Sequence, residues 1–192
     1  YGVYEWFLNS TVGGQQWSDA DLVEGYLRLS SACLTTTFII TQRTGACRRI
    51  ANGESDFCRD HWLPGLLTGE LFATVGISHL TTSRRHLSKP ALKAEETATG
   101  FVLDGFSPWV TVAPFADVVV IGATLENQQQ ILVALPTDTP GVSTGPSENM
   151  VALSGSRTGR LNCDRVTVDR KWLLSGPTEH VMGSAVGANT GG

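Results

Sequence analysis

The sequence lacks a long hydrophobic run and a strong excess of one charge. Apolar runs such as residues 118–121 are far shorter than the roughly 18–20 residues of a membrane helix. The chain has 14 basic and 18 acidic residues, without the extended basic stretch that nucleic acid would favour. We therefore expect neither a membrane span nor a nucleic-acid partner.

Paired cysteine motifs are also missing. The sequence has four cysteines, which are Cys33, Cys47, Cys58 and Cys163. They form no C-x-x-C pair, and their spacing to the histidines is not that of a zinc site. We expect free thiols, no metal site and a cytoplasmic location. Because the chain starts at Tyr1 rather than Met and ends in Gly191-Gly192, we also expect it to be a fragment of a longer polypeptide.

Capping residues and apolar spacing predict helices in the first third of the chain. Ser18 followed by Asp21 is a capping signature. Apolar residues recur after it at the spacing of one helix face (Leu22, Tyr26, Leu29 and Cys33). An amphipathic helix therefore follows Ser18.

Two further helices are predicted before residue 70. Residues 34–51 begin with a β-branched run typical of strands, but their place between helical segments favours a helix. Ser55 can cap a short helix through Trp62, and Pro64 with Gly65 would bend or end that helix.

The pattern after residue 70 is one of short strands and turns. The predicted strands are residues 71–78, 91–97, 100–103, 109–112, 117–125, 130–136 and 160–169. Asp104-Gly105 is interpreted as a tight turn between two of them. These segments predict an α+β chain, with helices followed by an antiparallel β-barrel or sandwich.

Two predicted strand ends are candidates for a binding site. Trp109 and Thr111 are two residues apart, so on one strand their side chains share a face. Ile77 and Ser78 end an earlier apolar strand. A flat ring beside a hydroxyl suits a planar cofactor that accepts hydrogen bonds, although Trp109 also fits an ordinary core position.

Several short motifs occur in the order found in one enzyme family. They are Val12-Gly13-Gly14, Leu63-Pro64-Gly65 followed by Gly69-Glu70, Phe101-Val102-Leu103-Asp104-Gly105, and Trp109-Val110-Thr111 followed by Ala116-Asp117. In this order and spacing the chain resembles the acyl-CoA dehydrogenases over nearly its whole length. The resemblance implies the last helices of an N-terminal domain over residues 1–69, a middle β-barrel domain over 70–178, and the start of a truncated helical domain over 179–192.

The resemblance also implies a cofactor and its contacts. The family binds FAD, so the residues expected near the flavin are Val75, Ile77, Ser78, Trp109 and Thr111. The family's Thr-Glu-Pro-x-Ala-Gly-Ser-Asp segment is replaced here by residues 78–85, where Ser83 and Arg84 are expected to bind substrate. A solvated loop is the alternative for Arg84, and no acid–base partner is identifiable for His79.

The implied activity is removal of two hydrogens from an acyl-CoA thioester, with hydride transfer to flavin N5. The catalytic base would lie outside this chain, so the chain itself would contain no catalytic residue and would be inactive alone. An electron-transfer flavoprotein and other copies of the same subunit are the expected partners. Two alternatives stay open: a flavin-dependent monooxygenase of the same fold, and a paralogue without flavin that serves in binding or assembly.

Overall fold

The computed structural model describes residues 2–6, 8–81 and 90–182. Its helices are α1 (Asp19–Ala32), α2 (Leu34–Asn52), α3 (Asp56–Thr68) and the short α4 (Ser78–Thr81). None of the helices in these ranges is long and apolar enough to cross a membrane. The same ranges contain no cluster of side chains suited to a metal ion.

Helices α1 and α2 confirm the predictions made from caps and context. The Ser18 hydroxyl accepts a hydrogen bond from the Asp21 backbone N–H and starts α1. The β-branched start of α2 is helical because its later residues Ala46, Cys47 and Ile50 are almost fully buried against the rest of the fold. Tertiary burial therefore overrides local strand propensity here.

The predicted end of α3 is wrong. Ser55 caps the helix as expected, but α3 continues through Pro64 to Thr68. Pro64 lies on the exposed side, where water can satisfy the carbonyl group that loses its partner, and Leu63 and Leu66 are buried. Burial of these leucines keeps the last turn in place.

The sheet follows the helices and is mostly antiparallel. Its strands are β1 (Ala73–Gly76), β2 (Leu92–Glu96), β3 (Gly100–Val110), β4 (Val118–Leu125), β5 (Gln130–Pro136), β6 (Val142–Ser147), β7 (Gly159–Asp169) and β8 (Leu173–Thr178). The strand order is β6-β7-β3-β2-β4-β5-β8, and β1 pairs in parallel with β4. The predicted α+β class is confirmed, with an open sheet whose edges are β6 and β8.

Asp104-Gly105 is not a turn but part of the continuous strand β3. Gly105 has φ +124° and lies at a register shift between β3 and β7. A side chain on Gly105 would overlap the Ala91 carbonyl oxygen, which accepts the Phe106 N–H at 2.9 Å. Glycine therefore serves a bulge and a close backbone approach, not a hairpin.

Strand β4 divides the core into two apolar clusters. Val118 and Val120 face α2 and α3, whereas Val119 and Ile121 face the interior of the curved sheet. Both faces are covered, which explains why β4 is buried at every position. All four cysteines are free, and only Cys33 is exposed.

Candidate cofactor site at the ends of β1 and β3

Strands β1 and β3 end next to each other. A Cβ atom placed on Gly76, the last residue of β1, would lie 3.0 Å from Ser107 Oγ and 3.2 Å from Val110 Cγ2. Ser107 and Val110 flank Trp109 on β3. The structure therefore brings together the two segments that the sequence analysis selected.

The end of β1 packs against the helices. Val75 is 8% exposed and belongs to the cluster that includes α2 and α3, and Ile77 packs against the same cluster. Ser78 is the first residue of α4. The predicted contacts of these three residues with flavin remain predictions.

His79 fastens α4 to the sheet through both ring nitrogens. Nε2 lies 2.8 Å from the Gly122 carbonyl oxygen, and Nδ1 lies 3.4 Å from Ser107 Oγ. A carbonyl oxygen only accepts, so Nε2 carries the proton and Nδ1 accepts from the Ser107 hydroxyl. Burial lowers the pKa of His79, which favours this neutral form.

The β3 end exposes one predicted side chain and buries the other. Trp109 is 52% exposed, whereas Thr111 is 3% exposed and lies just beyond the end of β3 at Val110. A register shift between Ser107 and Val110 interrupts the alternation of faces. Thr111 therefore lies outside β3, so the expectation that both residues belong to one strand is wrong, although the two remain neighbours in the chain.

The Thr111 hydroxyl belongs to a ladder of three buried hydroxyl groups. Thr111 Oγ1 lies 3.0 Å from Thr158 Oγ1, which in turn lies 2.9 Å from Ser156 Oγ. We call Thr111, Thr158 and Ser156 the hydroxyl ladder. The Val112 N–H donates to the Ser156 carbonyl oxygen at 2.9 Å, so backbone and side chains join the same two segments.

The partners of His79 and two members of the hydroxyl ladder were not predicted from the sequence. His79 pairs with residues 28 and 43 positions away, and Thr111 with one 47 positions away. No local spacing signals such contacts. Ser83 and Arg84, the predicted substrate-binding residues, lie outside the described residues.

The surface at these strand ends suits a flat aromatic cofactor. The Trp109 indole ring, with half of its area exposed, offers a stacking surface, and the same two strand ends carry the buried Thr111 hydroxyl and the His79 imidazole. A separate cavity of about 240 Å³ lies at the opposite end of β3, lined by residues including Thr99, Asp169 and Trp172. That cavity contains none of the predicted site residues.

Comparisons with known proteins test the resemblance to the acyl-CoA dehydrogenases. No protein-family model matches the chain. A probable acyl-CoA dehydrogenase of Bacillus subtilis (strain 168) is 33% identical over 114 residues, which cover 59% of this chain and 19% of that protein.

Solved structures of similar fold cover almost the whole chain. An acyl-CoA dehydrogenase from Bacillus anthracis, crystallised with FAD, matches 93% of this chain and 31% of that chain, with TM-score 0.81 and 23% identity. The prolyl acyl carrier protein oxidase AnaB matches 95% of this chain and 50% of that chain, with TM-score 0.81 and 18% identity. This chain therefore spans between 19% and 50% of the length of these three proteins. It has the fold of the acyl-CoA dehydrogenases and, as its motifs predicted, is similar in sequence to a protein described as one of them.

Proposed function

We propose that this chain is the helical and sheet portion of an FAD-dependent oxidoreductase that removes two hydrogens from an acyl-CoA or similar thioester. The observation that carries the proposal is the exposed Trp109 ring, two residues before the buried Thr111, where β3 meets the end of β1. The family resemblance gives that arrangement its chemical meaning.

When bound, FAD would supply the acceptor for the hydride that leaves the β carbon of the substrate. Trp109 would pack against the isoalloxazine edge and exclude water from one side of it. Thr111 would hydrogen-bond near the edge that receives the hydride, and the β1 end at Val75, Ile77 and Ser78 would hold the pyrimidine side. Ser83 and Arg84 stay proposed as contacts to the substrate.

The proton on the α carbon needs a base that we do not assign to this chain. Its carboxylates, such as Glu70, Glu95 and Glu126, do not match the position of the family's base. We therefore propose that the base comes from the remainder of a longer protein and that residues 1–192 alone are inactive. An electron-transfer flavoprotein as electron acceptor and assembly into a homo-oligomer belong to the same proposal.

The test is a visible absorption spectrum of the full-length protein, loaded with FAD and kept anaerobic, before and after addition of acyl-CoA thioesters. Pivaloyl-CoA is the matched control, because its α carbon carries no hydrogen to remove. The proposal predicts that straight-chain thioesters bleach the flavin band and that pivaloyl-CoA does not.

Two other results would contradict this proposal. A bound flavin that no thioester bleaches would count against dehydrogenation and favour a monooxygenase of the same fold. Failure to bind FAD after reconstitution would exclude both enzymes and favour a binding or assembly role.

A further inference from the structure

The hydroxyl ladder has one proton more than its internal hydrogen bonds use. Its three hydroxyl groups carry one proton each, and only two oxygen–oxygen contacts join them. If Ser156 donates to Thr158 and Thr158 donates to Thr111, the third proton is left on Thr111. The ladder can therefore present a hydrogen-bond donor at its Thr111 end.

Burial helps the hydroxyl ladder to keep one direction of hydrogen-bond donation. Thr111, Thr158 and Ser156 are 3%, 5% and 0% exposed, so water does not compete freely for their hydroxyl groups. Hydrogen bonds in such a chain polarise one another, and a donor at one end is strengthened by the bonds behind it. An acceptor placed next to Thr111 would select the order Ser156 to Thr158 to Thr111.

The backbone around the hydroxyl ladder is strained. Val112, Leu153 and Arg157 have φ values of +56°, +62° and +48°, a region that residues with side chains rarely adopt. Leu153 and Arg157 flank the turn that carries Ser156, and Val112 follows Thr111. Strain of this kind persists where the surrounding structure fixes a functional geometry.

We propose that Ser156 and Thr158 are positioning residues that hold the Thr111 hydroxyl as a donor toward the bound cofactor. They act through Thr111 and do not themselves touch the flavin. This inference rests on the proposed function, because it needs FAD at the end of β3, and it adds a supporting layer to the predicted contact of Thr111.

The test is a double-mutant cycle read out by FAD affinity. FAD is titrated into the full-length apoprotein and into the Thr111→Val, Thr158→Val and doubly substituted variants, with cooperative unfolding checked in each. Thr158→Ser keeps the hydroxyl group and is the matched control. We expect Thr158→Val to raise the dissociation constant about five-fold, the effect of one hydrogen bond, and Thr158→Ser to restore it.

The decisive comparison is made in the Thr111→Val background. There Thr158→Val should cause no further loss of affinity, because the residue through which it acts is gone. An equal loss of FAD affinity in both backgrounds would show a general packing effect and overturn the inference. An unchanged FAD affinity in Thr158→Val would also overturn it. If the unsubstituted protein bound no FAD, the proposed function would fall and this inference with it.

Discussion

The ends of β1 and β3 lie side by side, but they are held in place by different chemistry. At the β1 end, the Ser107 hydroxyl donates to the imidazole of His79, a titratable group whose pKa is lowered by burial. At the β3 end, the Thr111 hydroxyl is hydrogen-bonded to Thr158, which is in turn hydrogen-bonded to Ser156, and none of these hydroxyl groups titrates.

This difference coincides with the family resemblance. The β3 end keeps the family's Trp-Val-Thr motif, whereas residues 78–85 depart from the family's segment after β1. The β3 end is therefore the part of the proposed cofactor site that matches the resemblance, and the β1 end is the part that departs from it. The two ends should then respond differently to substitution and to pH.

The largest expected effect comes from disturbing the β1 end alone. In Gly122→Ala, the new Cβ would overlap Leu80 Cδ1 and lie 3.0 Å from Leu80 Cγ, and Leu80 is 4% exposed. Overpacking of this kind should lower the free energy of unfolding by about 1–3 kcal/mol.

Gly145→Ala on β6 is the control for that substitution, because its nearest neighbour would be Arg160 Cβ at 3.5 Å. Chemical denaturation of both variants provides the comparison. Equal stability of the two would contradict the close packing of α4 on β4.

The β3 end should lose stability when the middle of the hydroxyl ladder is removed. Thr158→Val leaves Thr111 and Ser156 without their partner and should lower the free energy of unfolding by about 1–2 kcal/mol. Thr74→Val is a matched control, since the fully buried Thr74 Oγ1 has no hydrogen-bond partner among the described residues. We expect that variant to be as stable as the original or more stable, and the reverse ranking in urea denaturation would refute the role of the ladder.

The pH dependence of protein stability should arise at the β1 end, where His79 lies. Burial lowers the pKa of folded His79 from 6.5, so as pH falls below this value the unfolded chain takes up the proton first and the folded protein loses stability. His79→Gln retains a donor for Gly122 and an acceptor for Ser107 without titrating. Thermal unfolding between pH 7.5 and 5 should show a smaller loss for His79→Gln, and parallel curves would exclude His79 as the cause.

The smallest expected effect is a difference between the cysteines in their rate of thiol labelling. Burial raises the pKa of Cys47 to about 11 and of Cys163 to about 12, while hydrogen bonds from Thr36 lower the pKa of exposed Cys33. Iodoacetamide followed by mass spectrometry should therefore find Cys33 modified first.

The same labelling can separate the two ends. Cys47 lies in the cluster that includes Val75 of β1, whereas Cys163 lies on β7 opposite Gly105 of β3. In Gly122→Ala we expect Cys47 to become reactive before Cys163. Simultaneous exposure would mean that the two ends open together.

Local signals in the sequence located α1, α3 and most strands, whereas α2 was predicted from its context and α4 was not predicted. The Ser18 and Ser55 caps set the starts of α1 and α3 correctly. Strands β6 and β8 were not predicted, because β6 is a mostly exposed edge strand of small and polar residues and β8 contains glycine and proline.

The supporting contacts of the site were beyond local signals. Thr158 and Ser156 look like ordinary turn and strand residues until the fold places them beside Thr111. His79 has no acid–base partner nearby in sequence, and its partners Ser107 and Gly122 come from two other strands. The motifs therefore predicted where a site would lie, but only the tertiary structure shows which contacts hold these strand ends in place.

The most direct test of the account is the affinity of FAD for the full-length protein and for its Trp109→Ala variant. Because Trp109 is 52% exposed, its loss should leave the folded protein largely intact while removing the proposed stacking surface. We predict that Trp109→Ala unfolds at nearly the same denaturant concentration and binds FAD at least about ten-fold more weakly, a difference of about 1.4 kcal/mol. Equal FAD affinity in the two proteins would contradict a cofactor site at the end of β3.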